Sequence, residues 1–282
     1  MVKPRCSPFL SKSHKQNKYI NLDDLQSLCI SSMKSYPFST FPYYIFEETS
    51  DNICDSMHEG NCIALSMNIK KQLQKQNIKS YLVPATVPNK YKLENMPPYA
   101  HVALAIPLSK TKVILVDQAF YFMKPLIIDL SQPKTTMSSV IPSKNVYNGK
   151  MDYVGVVSLK KKTKREPEVH CAYSHDPQDS WKYVLTEILN PDASIGTPYL
   201  NIKQHPFTCI LDNDMNMSLY IERNDDYIRI KLPEDTYIYH NIREIPPDIK
   251  KLIQSQMRRP HTTFEELEQY IPLDHKLSLE DI

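Results

Sequence analysis

The sequence predicts an α+β fold: a helix that begins with a cysteine, packed on an antiparallel sheet, then a second β-rich region and a helical tail. Three observations carry this expectation. Residues 62–76 set Cys62, Leu65, Ile69 and Leu73 at steps of three and four, with Lys70, Lys71, Gln72, Lys75 and Gln76 on the opposite side, as in an amphipathic helix. Apolar runs follow at 80–87, 100–107 and 112–122, and in the middle one Val102, Leu104 and Ile106 alternate with smaller residues, as a packed strand does. Farther on, "SLYIERNDDYIRIKL" puts polar residues between two alternating runs, which signals a hairpin.

The other elements follow from local chemistry. Residues 1–18 are polar and basic and read as a loose arm. Residues 21–36 form a short helix, with Asn21 as its cap, Asp23 and Asp24 in the first turn, and Leu22, Leu25, Leu28 and Cys29 on one face. The prolines and aromatics of 36–46 predict extended or turning backbone over a core, and "EETSDNICDSMHEG" reads as a polar connector. Periodicity is lost over 124–145, as in a long connection, and the basic run at 159–168 reads as a solvated loop. Strand-like runs return at 180–189, 206–212, 217–225 and 227–233. Two helices close the chain, "PPDIKKLIQSQMRR" and "TTFEELEQYI", the second capped by Thr262 or Thr263. The domain layout expected from this order is a core of helices and sheet at 1–130, a connector at 131–165, a β-rich region at 166–245 and a helical tail at 246–282.

Composition excludes several classes. With 41% hydrophobic and 23% charged residues, the chain builds a core. Its four glycines do not cluster, which argues against a dinucleotide or phosphate-cradling loop. A net charge of +2 gives no electrostatic case for nucleic acid. No run approaches the roughly 18 apolar residues of a membrane span, and the first residues contain no apolar leader. The six scattered cysteines then read as reduced thiols of a cytoplasmic protein, with a nuclear address through 159–165 as the second expectation.

The candidate chemistry starts at Cys62. A thiol attacks as thiolate, and unpaired N–H groups at a helix start favour that anion. Such a nucleophile needs a base and a group to orient it. His101 opens one strand run and Asp117 follows "VILV" at the end of the next, 39 and 16 residues along from the preceding member of the series. If those strands are antiparallel neighbours, both side chains lie at one sheet edge, with the Cys62 helix packed across it.

The stretches "GNCIAL", "YAHVALAIP" and "VILVDQAFYF" resemble those of thiol enzymes of papain-like fold, specifically arylamine N-acetyltransferases and their transglutaminase-like relatives. "DSWKYVLTEILNPDASIGTPYL" is similar to another acetyltransferase segment. Where the acetyltransferases carry arginine and two glycines before the cysteine, this chain has His58, Glu59, Gly60 and Asn61, and Gln118 and Ala119 replace a glycine-containing turn after the aspartate. The resemblance implies Cys62 as acyl carrier, His101 as base and Asp117 as its orienting acid. It also implies acetyl-coenzyme A as the acyl donor, a small-molecule amine or peptide as acceptor, and no metal. Backbone N–H groups, that of Cys62 among them, would meet the oxyanion, with Asn61 as a further helper. Amide hydrolysis or crosslinking by the same triad is the alternative within enzymes; outside them, it is a non-catalytic scaffold that binds a partner protein.

Other groupings are weaker. His170, Cys171 and His175 in "HCAYSH" lack a four-ligand zinc spacing and read as a variable loop. Asp212 and Asp214 lack the glycine of a calcium loop and read as a turn. Cys54, eight residues before Cys62, reads as an ordinary cysteine, with a regulatory disulfide as the alternative.

Overall fold

The computed structural model describes residues 20–45, 50–86, 99–109, 111–119, 122, 124–129, 140–145, 150–161, 167–173, 180–185, 207–223 and 226–257. The expected N-terminal arm, the loop at 162–166, His175 and the second tail helix lie outside them.

Helix α1 (Leu22–Ser35) starts as its sequence dictates: the Asn21 side chain accepts the Asp23 N–H, and Asp23 and Asp24 occupy the first turn. The aromatic stretch after it differs from its expectation. It holds a two-residue strand, β1 (Phe38–Ser39), and a short helix, α2 (Phe41–Ile45), which tolerates Pro42 because a first turn needs no proline N–H. The expected polar connector is also helical, α3 (Ser50–Met57), and buries Ile53 and Cys54; two apolar residues in a polar stretch gave too little periodicity to reveal it.

Helix α4 (Cys62–Lys75) matches the sequence reading and is more deeply buried than an amphipathic stripe requires: Ile63 to Ile69 are all inside. The polar residues in that stretch are satisfied. Ser66 Oγ donates to the Val102 carbonyl at 3.4 Å, and Asn68 Nδ2 donates to Ser32 Oγ at 2.7 Å. At its C-terminus Asn77 takes a left-handed φ of 61°, the Ile78 N–H bonds Leu73 O, and the Asn77 N–H bonds Gln74 O. This paired closure uses asparagine where glycine is commonest, and Ile78 and Leu73 share one core cluster.

Eight strands form one antiparallel sheet in the order β5-β4-β3-β2-β9-β8-β7-β6. They are β2 (Tyr81–Thr86), β3 (His101–Pro107), β4 (Lys112–Val116), β5 (Leu126–Asp129), β6 (Val140–Asn145), β7 (Lys150–Lys161), β8 (Pro167–Tyr173) and β9 (Ser180–Val184). The "long connection" at 124–145 thus contains β5 and β6, and the basic run begins as the end of β7 rather than as a loop. His170 and Cys171 lie in β8, paired with Ser158 and Val156, not in a variable loop. These strands lack clean alternation, so local pattern did not reveal them although each pairs with its neighbour along the chain.

The second sheet runs β1-β10-β11-β12-β13, where β10 is Phe207–Leu211, β11 Met217–Arg223, β12 Ile228–Lys231 and β13 Thr236–Tyr239. The β11–β12 hairpin is as expected. So is the turn at Asp212, whose Oδ1 accepts the N–H groups of Asp214 and Asn216. A 3-10 turn (Ile242–Glu244) and helix α5 (Pro247–Met257) follow.

Helices α1 and α4 sit between the sheets. One core cluster joins Leu25, Cys29 and Met33 of α1 and Ile63, Ile69 and Leu73 of α4 to Val102, Leu104 and Ile106 of β3 and to Cys209 and Tyr220 of the second sheet. The opposite face of the large sheet packs Val83, Ala85, Ala103, Ala105, Leu115 and Tyr183 together. Among the described residues no helix is long and apolar enough to cross a membrane.

Candidate active site

Strand register brings His101 and Asp117 together. Strands β3 and β4 are antiparallel, with Leu104 opposite Val116 and Ala105 opposite Leu115. Continuing that register by one residue sets Asp117 opposite Ala103, so His101, two residues away, is its diagonal neighbour on the same face. Diagonal pairs lie within reach of long side chains. The tight β3–β4 connection, in which the Leu108 and Ser109 N–H groups both bond Lys112 O, pins this register. Strand β2 adds the third member: Ala85 pairs with His101 on one side and Tyr183 on the other.

The contacts follow. His101 Nε2 lies 2.6 Å from Asp117 Oδ2, and the Tyr183 hydroxyl donates to the same oxygen at 2.7 Å. All three residues are buried, and the Tyr183 ring meets the imidazole edge-on, 6.4 Å between centroids. Burial alone would lower the His101 pKa. The Asp117 charge and hydrogen bond, with the hydrogen bond and charge interaction between the imidazole and the Cys62 sulfur, outweigh it and push the value up to about 10. The imidazole is therefore held as imidazolium at neutral pH, between a carboxylate and the Cys62 side chain. The structure thus puts His101 and Asp117 in direct contact, with Cys62 among the groups that act on the imidazole.

Cys62 is the first residue of α4 and is half-buried. The loop before it is strapped to β1: the Ser39 N–H donates to Gly60 O at 2.9 Å and the Gly60 N–H to Pro37 O at 3.3 Å. Gly60 has φ 148°, and a Cβ there would fall 2.4 Å from the Ala64 Cβ and 3.0 Å from the Tyr43 hydroxyl. Gly60→Ala is therefore expected to lower stability by about 2–4 kcal/mol, from overpacking and backbone strain together, measured by urea unfolding. Cys54 is buried, and no disulfide joins it to Cys62.

Tyr183 was not singled out in the sequence. Its segment carries only a general similarity to an acetyltransferase segment, and the β2–β9 pairing that delivers the hydroxyl joins residues about a hundred positions apart. Tyr183→Phe removes one bond to a charged acceptor and is expected to cost about 1.5–3 kcal/mol, read from urea midpoints. Gln118, after Asp117, turns inward: its Nε2 donates to Cys29 O at 3.1 Å, and its Oε1 accepts from Ser32 Oγ at 3.0 Å. The side chain that replaces a glycine turn is thus tied to α1. Among the described residues no cluster of His, Cys, Asp and Glu could hold a metal ion.

No protein-family model matches the sequence, and no curated protein matches it. Solved structures do. An arylamine N-acetyltransferase from Bacillus cereus, described as having a unique Cys-His-Glu catalytic triad, aligns at TM-score 0.56 and 12% identity over 86% of this chain and 92% of that one. The enzyme from Salmonella typhimurium aligns at TM-score 0.55 and 13% identity over 94% and 98%. A variant of the Mycobacterium smegmatis enzyme gives 0.55 and 10% over 92% of each chain. The chain has the α+β, papain-like fold of the arylamine N-acetyltransferases.

Proposed function

We propose that the protein transfers an acyl group to an amine through a thioester on Cys62. The observation that carries this reading is the buried His101–Asp117 pair, 2.6 Å between Nε2 and Oδ2, with Cys62 as the next neighbour of the imidazole at a helix start. A histidine kept protonated by a buried carboxylate favours thiolate beside it. The thiolate attacks the acyl carbonyl; the imidazolium then gives its proton to the departing group. In the second half, neutral His101 takes a proton from the incoming amine as it attacks the thioester, and Cys62 leaves. Asp117 holds the ring and its charge throughout, as in other triads of this logic.

Acetyl-coenzyme A is the acyl donor on this reading, supported by the fold shared with acetyltransferases, and the acceptor is a small-molecule amine or a peptide. The test is incubation with acetyl-coenzyme A followed by peptide mass mapping. The expected result is one added acetyl group, on Cys62, released by an arylamine. No adduct, together with cleavage or labelling of a glutamine peptide, would move the reading to amide hydrolysis or crosslinking. Inertness toward both donors would leave a non-catalytic scaffold.

A further inference from the structure

Asp117 lies one residue past the Leu104–Val116 pair with which the β3–β4 ladder ends. There the chain leaves the strand and turns, and the Asp117 carbonyl accepts the Phe122 N–H at 2.9 Å. Side chains alternate through this end of β4. Val116 packs with the helices, and Leu115 packs on the opposite face of the sheet. Asp117 sends its carboxylate to His101 and Tyr183, and Gln118 sends its amide back to α1. The chain just after the acid is therefore fastened on the face opposite to the one where the acid works.

Gln118 ends a chain of hydrogen bonds whose directions are all fixed. The Cys29 carbonyl only accepts, so the Gln118 end that meets it at 3.1 Å is Nε2 and the other end is Oε1. That oxygen takes the single Ser32 hydroxyl proton at 3.0 Å. Ser32 Oγ is then left to accept, and Asn68 Nδ2 donates to it at 2.7 Å. Asn68 Oδ1 accepts in turn from Gln72 Nε2 at 3.1 Å. Ser32, Asn68 and Gln118 are all buried. Asn68 lies on α4, the helix that Cys62 opens, and Gln118 adjoins Asp117. The chain thus joins the helix of the thiol to the strand end of the acid, with α1 as the bridge. A buried network whose members are satisfied rigidifies its elements and selects one arrangement of them.

We propose that Gln118 and Ser32 are positioning residues of the site, holding the Asp117 carboxylate against His101 by anchoring the end of β4 to α1 and, through Asn68, to α4. The inference rests on the reading of Cys62, His101 and Asp117 as one acyl-transfer unit. The contact being held is short, 2.6 Å from Nε2 to Oδ2, and a hydrogen bond weakens steeply as its distance and angle depart from such values. Without the anchor the turn after β4 relaxes and the carboxylate moves off the ring. The buried imidazole then loses its proton, and Cys62 loses the cation that favours thiolate. Gln118 and Ser32 act only through Asp117.

The test separates positioning from a merely structural role. Gln118→Met keeps the side-chain size and removes the amide; Ser32→Ala removes the hydroxyl. Iodoacetamide alkylation of Cys62 in the full chain is timed by peptide mass mapping at about pH 6 and about pH 9.5, the second being a pH at which an ordinary thiol is itself largely ionised. The rate at high pH reports access to the sulfur, and the ratio of the two rates reports the thiolate that the imidazolium sustains. That ratio is expected to fall about tenfold in both variants, the size of one unit of thiol pKa on loss of a neighbouring opposite charge. A structural network alone would lower the urea midpoint and leave the ratio in place. A fall of less than about threefold, half a unit, in either folded variant overturns the assignment while leaving the catalytic unit intact. Should Gln118→Met not fold, Ser32→Ala decides by itself. A parent ratio no higher than that of N-acetylcysteine overturns the catalytic unit, and this assignment with it.

Discussion

Asp117→Asn is expected to slow acylation of Cys62 by about four orders of magnitude, the scale seen when the acid of such a triad is neutralised. Shape is not what is lost. An asparagine with its oxygen in the Oδ2 position would still accept from His101 Nε2 and from the Tyr183 hydroxyl, which share that one atom. What disappears is the charge. Burial is the largest single influence on His101 and acts to lower its pKa; only the carboxylate and the Cys62 contact raise it. Without the carboxylate the buried imidazole is neutral at pH 7, and Cys62 loses the cation beside it. Steady-state acylation at saturating p-nitrophenyl acetate measures this. A loss smaller than tenfold would show that Asp117 is a structural acid only.

The same pair makes stability depend on pH in a set direction. His101 has a folded pKa of about 10 against an unfolded value near 6.5. Between those values the folded state binds the proton and the unfolded state does not, so each rise in pH weakens the fold. The contribution is fully present below about pH 6.5 and is lost as pH rises through about 10. Its full size is several kcal/mol, since each unit of difference is worth about 1.4 kcal/mol. The measurement is urea unfolding from pH 6 to 10 on a Cys62→Ser background, which removes thiol titration, compared with the same protein carrying His101→Asn. The first is expected to lose stability steadily across that range and the second to be nearly flat over its lower half. Parallel curves would mean that His101 carries no such charge in the fold.

Much of this site was legible in the sequence because its three side chains sit at element boundaries that local chemistry marks. Cys62 opens the helical spacing of Leu65, Ile69 and Leu73, which marks it as the start of α4. His101 and Asp117 flank apolar runs joined by a short polar turn, so antiparallel pairing put them at one edge. Tyr183 was hidden because its hydroxyl arrives through a strand pairing set by distant chain. Helix α3 was hidden because Ile53 and Cys54 are too few apolar residues to show a period. Strands β5 to β8 gave little alternation, and their pairing supplies what local preference does not. The hydrogen bonds that join Tyr43, Ser50 and Asn61 were hidden because Tyr43 lies on α2, a helix that the prolines and aromatics of its segment disguised as extended chain.

The most direct test of the account is the rate at which iodoacetamide alkylates Cys62 at pH 6, set against N-acetylcysteine under the same conditions. An ordinary thiol is almost wholly protonated there and reacts slowly. Cys62 is expected to react more than about tenfold faster than the free thiol and to fall to its level in His101→Gln. A Cys62 no faster than the free thiol, and indifferent to His101, would contradict the claim that sulfur, imidazole and carboxylate work as one unit.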